Sequence, residues 1–215
     1  MRVFIGRKNV LKLTLIGFFV GIAAILSFFG EQQANASASG PSPSFTDAPG
    51  EANCTACHVD FPVNSGSGSV EITGVPQSYL PGQQILLTIR TSQEDGVSYG
   101  FQLTAIDGAG RAAGTWTLQN LVETQIVEGP VGGNLRQYVQ HTSAGIVPTT
   151  FGSKSWTVVW NAPIRRLDKV SFYAAGNAAN GNGGTGGDFI YTTVETSANG
   201  TAVPDLDEIA VDLAE

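Results

Sequence analysis

From Ser69 onward the chain alternates apolar and polar residues in short runs, the two-residue period of half-buried strands. SVEITG (69–74) puts Val70 and Ile72 on one face, and ILLTIRT (85–91) puts Ile85, Leu87 and Ile89 together. YGFQLTAID (99–107) sets Phe101, Leu103 and Ala105 against Gln102 and Thr104. LRQYVQHTS (135–143) sets Leu135, Gln137, Val139 and His141 against Arg136, Tyr138 and Gln140, the second group read as a solvent-exposed face. SWTVVWNAP (155–163) aligns Trp156, Val158 and Trp160, which with Trp116 are expected in the core. GTWTL, TQIVEG, KVSFYAAG and DFIYTT complete about nine strands at intervals of roughly ten to fifteen residues, the pattern of an all-β sandwich. No amphipathic helical run interrupts 66–197.

The ends differ. Arg2, Arg7, Lys8 and Lys12 precede an uncharged apolar run of 17 residues, LTLIGFFVGIAAILSFF (13–29), and then ANA (34–36). That order reads as a secretory signal over 1–36, cleaved after Ala36, or, if uncleaved, as a membrane anchor helix. Residues 37–50, SASGPSPSFTDAPG, read as a linker; 51–197 hold the Cys–His segment and the sandwich; 198–215 read as an acidic tail. Within the tail Leu206, Ile209, Ala210 and Leu213 share one face of a short amphipathic helix.

Charge narrows the partners. The chain carries −7, and residues 1–36 hold four bases and one acid, so removing them leaves 179 residues with a charge of −10. An acidic, exported chain is a poor match for nucleic acid. Export places it in the periplasm, outside the cell or on the cell surface, with membrane attachment only through the N-terminal segment.

The chemistry concentrates in NCTACHVD (53–60). Both cysteines of the chain, Cys54 and Cys57, and one of its two histidines, His58, lie there. Cys-x-x-Cys-His is the attachment pattern of c-type haem. Two thiols one turn apart add to the two haem vinyl groups as thioethers, and the next histidine supplies the proximal axial imidazole. Three other readings stay open. A Cys54–Cys57 disulfide is feasible outside the cytoplasm, but so small a loop gains little chain entropy. A thioredoxin-like redox pair needs a βαβ context, and a zinc site would need Cys54, Cys57, His58 and His141 together. The only methionine is Met1, so a mature chain has no methionine for the second axial position. His141 is the candidate distal ligand, giving six-coordinate bis-histidine iron; without it the distal side is open, as in a haem enzyme or sensor.

GNAANGNGGTGGD (176–188) joins two strands. Asn177, Asn180, Asn182 and Asp188 could offer oxygens to calcium, but the spacing is not that of a calcium loop, and a metal-free structured loop is the plainer expectation, one that at an end of the sandwich could pack on the haem segment.

DAPGEANCTACH, GSVEITGVPQSYLPGQ, YGFQLTAID, RQYVQHTS, SWTVVWNAP and VSFYAAGNAANGNGGTGGDFIYTT together resemble exported bacterial proteins of the Reeler-like, choice-of-anchor V type, over about Phe45 to Thr193. The resemblance implies an immunoglobulin-like sandwich and a Cys-x-x-Cys-His segment that belongs to the module. The resulting expectation is a monohaem c-type carrier exchanging one electron with a redox partner protein or a quinol-linked chain. The rival is a haem-free adhesion or ligand-binding module with a Cys54–Cys57 disulfide.

Overall fold

A computed structural model describes residues 37–200. The signal or anchor expected over 1–36, and all of the acidic tail beyond residue 200, lie outside them.

The alternating runs become ten strands: β1 (Ser69–Thr73), β2 (Ser78–Tyr79), β3 (Gln84–Ser92), β4 (Ser98–Asp107), β5 (Thr115–Leu118), β6 (Thr124–Val131), β7 (Asn134–His141), β8 (Ser153–Asn161), β9 (Lys169–Ala179) and β10 (Phe189–Asn199). They form two sheets, one in the order β1-β3-β8-β5 and one in the order β2-β10-β9-β4-β7-β6. The strand beyond the expected nine is β2. Two residues are too few for a period, and β2 exists because Ser78 and Tyr79 lie parallel to Ala198 and Asn199 at the end of β10. Every other pairing between strands is antiparallel.

The chain is thus an all-β sandwich, and its core follows the period. Ile85, Leu87 and Ile89 of β3 and Trp156, Val158 and Trp160 of β8 face Phe101, Leu103, Val139 and Phe172 of the larger sheet, all buried. Aromatic edges lock the two layers: Trp160 meets Phe172 at 4.9 Å and Tyr79 at 5.1 Å between ring centroids, both T-shaped.

The outer face of the larger sheet is the surprise. In β4, Gln102 and Thr104 alternate with the core residues as a solvent face should, yet both are fully buried. The N-terminal stretch read as a linker lies across them. The Phe45 amide donates to Gln102 Oε1 (2.7 Å), and Gln102 Nε2 donates to the Ser42 carbonyl (2.9 Å) and to Gln140 Oε1 (2.7 Å). Arg136 and Tyr138, expected on an exposed face, are 3% and 0% exposed for the same reason. Polar side chains tolerate this only because each finds a partner. Among the described residues no helix is long and apolar enough to cross a membrane.

Candidate functional site

The covering segment leads directly into the Cys–His motif. Its anchor is Glu51, whose carboxylate accepts from Arg136 Nη1 (2.6 Å), the Tyr138 hydroxyl (2.7 Å), and Thr46 Oγ1 (2.6 Å). Arg136 also donates to the Gly110 and Pro49 carbonyls. Burial, with the Glu51 carboxylate adding to it against the Ser44 hydrogen bond, pushes the Tyr138 hydroxyl up to about 12.

Two residues later Asn53 starts a single 3-10 turn over Cys54–Ala56. Its Oδ1 accepts from the Thr55 amide (2.9 Å) and hydroxyl (2.6 Å), while its Nδ2 donates to Asp47 (2.9 Å). The Cys57 and His58 amides both return to the Cys54 carbonyl, at 3.2 and 3.0 Å. The turn therefore gathers both thiols and the imidazole within one loop of backbone. Both cysteines are free thiols and half-buried, so the disulfide expected in the rival reading is not formed. Burial, reinforced by the neighbouring Cys57, pushes the Cys54 thiol up to about 12.

His58 is buried, and its partners come from the far end of the sequence. Nδ1 lies 2.7 Å from Asp188 Oδ2, and Nε2 lies 3.3 Å from Asn177 Nδ2. A carboxylate only accepts, so Nδ1 carries a proton, and in the neutral ring Nε2 keeps its lone pair. Asn177 stands on β9 and Asp188 immediately precedes β10, so the glycine-rich connection between these strands does pack on the Cys–His segment. The staple continues past the motif: the Gly187 amide donates to Asp60 (2.7 Å), Phe61 stacks on Phe189 at 4.3 Å, and the Asn64 amide donates to the Ile190 carbonyl (2.8 Å).

Three of the four candidate side chains spend an oxygen within the loop, and Asn177 Oδ1 has no partner among the described residues. Asp188 Oδ1 accepts from the Asn180 amide, Asn180 Oδ1 from Asn182, and Asn182 Oδ1 from Gly184. Among the described residues no group of three His, Cys, Asp or Glu side chains could hold a bare metal ion, which disfavours the zinc arrangement. Haem asks less of the protein, because the macrocycle supplies four nitrogens and the chain only axial ligands and thiols.

His141 ends β7, as its position in the sequence suggested, but has backbone rather than a carboxylate against Nδ1. The β4–β7 ladder registers only Gln102 with Gln140 and Leu103 with Val139. At the next position the ring replaces a strand: the Phe101 amide donates to His141 Nδ1 (3.0 Å). Nδ1 also lies 3.1 Å from the Phe101 carbonyl, so the backbone of one residue offers the ring both a donor and an acceptor. Burial lowers its pKa against the pull of both carbonyls, Phe101 and Ser37. The two histidines approach the same row of the outer face, since Asn177 pairs with Gly100, whose missing side chain leaves room for the His141 ring; a Cβ there would meet His141 Cε1 at 2.6 Å. They share no hydrogen-bond partner.

Sequence reasoning reached Cys54, Cys57, His58 and His141. It met Asp188 and Asn177 only as oxygens for calcium and passed over Glu51. The one local signal for Asp188 was a lone carboxylate closing a loop otherwise free of charge.

The site and fold together define a two-sheet all-β sandwich with a Cys-x-x-Cys-His turn clamped against its larger sheet. No family model and no curated protein matches the chain. Among solved structures it is similar to the reeler domain of human F-spondin, fragment 1 (19% identity, TM-score 0.44, covering 65% of this chain and 93% of that one). It is also similar to the Reelin-N domain of F-spondin (19%, 0.46, 68% and 97%) and to a cohesin module from a Clostridium perfringens family 33 glycoside hydrolase (11%, 0.43, 63% and 98%). At these identities the likeness assigns no role to any residue.

Proposed function

We propose that the chain is an exported one-electron carrier with a single haem attached through Cys54 and Cys57 and His58 as proximal ligand. One observation carries the reading: the buried hydrogen bond from His58 Nδ1 to Asp188 leaves Nε2 with its lone pair, one turn from two free thiols. This is the donor set and tautomer a c-type site needs. Val59, Phe61 and Val63, just past the motif, are 72%, 37% and 37% exposed and offer apolar surface beside the thiols.

One side chain stands in the way. Asn177 Nδ2 is 3.3 Å from Nε2, the nitrogen that would hold the metal. The amide is weakly held, because its Oδ1 is buried with no partner and its bond to His58 is long. Turning it aside costs little more than that bond. When bound, haem supplies an iron couple whose potential follows its axial ligands and surroundings. The chain would contribute two thiols as anchors and His58 as ligand. His141 remains the candidate second ligand, through Nε2 with Nδ1–H held on the Phe101 carbonyl. The N-terminal charge, apolar run and small-residue order support export, the compartment in which such attachment occurs.

The test is expression with haem-maturation machinery, followed by a pyridine haemochrome spectrum and mass mapping of the Cys54–Cys57 peptide. Covalent haem on that peptide is the expected result, and a peptide with unmodified thiols and no Soret band ends the reading. His141→Ala should convert a low-spin spectrum to high-spin if His141 ligates; an unchanged spectrum removes it from the site.

A further inference from the structure

The partners of His58 do not come from the Cys-x-x-Cys-His turn. They are Asn177 on β9 and Asp188 in the β9–β10 connection, 119 and 130 residues away, and it is Asp188 that holds Nδ1. Asp188 is 1% exposed, and its second oxygen is fixed by the Asn180 amide at 3.0 Å, so the carboxylate cannot swing away from the imidazole. The loop reaches beneath the turn by reversing at Gly187 (φ +78°), a conformation that favours glycine. Among the described residues the only ion-pair partner of Asp188 is His58, so no cation competes for its charge.

We propose that Asp188 is the positioning residue for the His58 ligand. It fixes the ring and its tautomer, and it passes negative charge through the imidazole to the metal at Nε2, which favours oxidised over reduced iron. This rests on the haem reading above. A 2.7 Å bond is in the range of charge-assisted contacts, and in a buried setting the charge is poorly screened. A carboxylate on the far nitrogen raises the basicity of a ligating histidine.

A purely structural clamp would make the same contact, so the variants must separate shape from charge. Asp188→Asn keeps an acceptor oxygen and the side-chain shape but loses the charge. Asn182→Ala loosens the same loop by removing a donor to the Gly186 carbonyl and an acceptor for Gly184, with no change of charge. In the haem-loaded protein Asp188→Asn should shift the iron toward the reduced form by about tenfold, about 59 mV for one electron, with Asn182→Ala unchanged. A wild-type ratio, within about twofold, in Asp188→Asn overturns the proposal, and so does an equal shift in Asn182→Ala. A second measurement needs no haem. In the haem-free chain, nitrogen-15 NMR should find His58 protonated at Nδ1 and bare at Nε2, with the tautomers mixed in Asp188→Ala. If the wild type carries no covalent haem, the haem reading fails and this measurement still decides the positioning claim: a wild-type His58 protonated at Nε2 refutes it.

Discussion

Glu51 is the residue whose loss should cost the fold most, and the cost can be worked from its surroundings. Its carboxylate is buried and shares an ion pair with Arg136, itself 3% exposed on its side chain, at 2.6 Å. Truncation to alanine removes hydrogen bonds to Arg136, Tyr138 and Thr46 and leaves a guanidinium buried with only the Gly110 and Pro49 carbonyls. Breaking a buried pair from one side typically costs about 3–5 kcal/mol. For a domain of this size that is a fall in melting temperature of about 6–20 °C. Calorimetry and urea denaturation of Glu51→Ala measure it. Glu51→Gln, which keeps an acceptor, should lose less. The sharper test is Glu51→Ala combined with Arg136→Met: if a stranded charge is the main cost, the double variant recovers most of the stability. A Glu51→Ala protein within about 1 kcal/mol of wild type would refute the reasoning, because it would mean that water reaches Arg136 freely.

Two further outcomes follow from the site. With its pKa near 12, the Cys54 thiol of the haem-free protein has about a thousandfold less thiolate at pH 8 than a thiol at its ordinary value of 9.0 and should alkylate markedly more slowly; peptide-resolved iodoacetamide labelling reads this, and labelling at the rate of a free cysteine would contradict the raised pKa. The second concerns His141, whose folded pKa lies below 6.5 because burial disfavours its charged form. The unfolded chain then binds the proton more readily than the native one, so stability is complete above about pH 6.5 and falls as pH drops below it. Urea midpoints at pH 7.5 and 5 should diverge more for wild type than for His141→Gln, and equal slopes would sink the assignment.

The amino-acid order by itself determined what is local. Alternation over two residues fixed which side chains of β3, β4 and β8 turn inward, because successive Cβ atoms point to opposite faces. Three-residue spacing and the Asn53 cap fixed the turn that gathers Cys54, Cys57 and His58. Tertiary structure alone decided what meets these residues. Period two says that Arg136, Tyr138 and Gln102 share the outer face, but not that residues 42–51 will cover it, and Glu51 gives no sign of its partners 85 and 87 residues away. The two histidines carry the same side chain and differ in surroundings. His141 Nδ1 meets the Phe101 backbone, amide and carbonyl alike, while His58 Nδ1 meets the Asp188 carboxylate, which can only accept and so holds a proton there. That difference lies in the pairing of β4 with β7 and of β9 with β10, contacts between distant segments that no short stretch of sequence encodes.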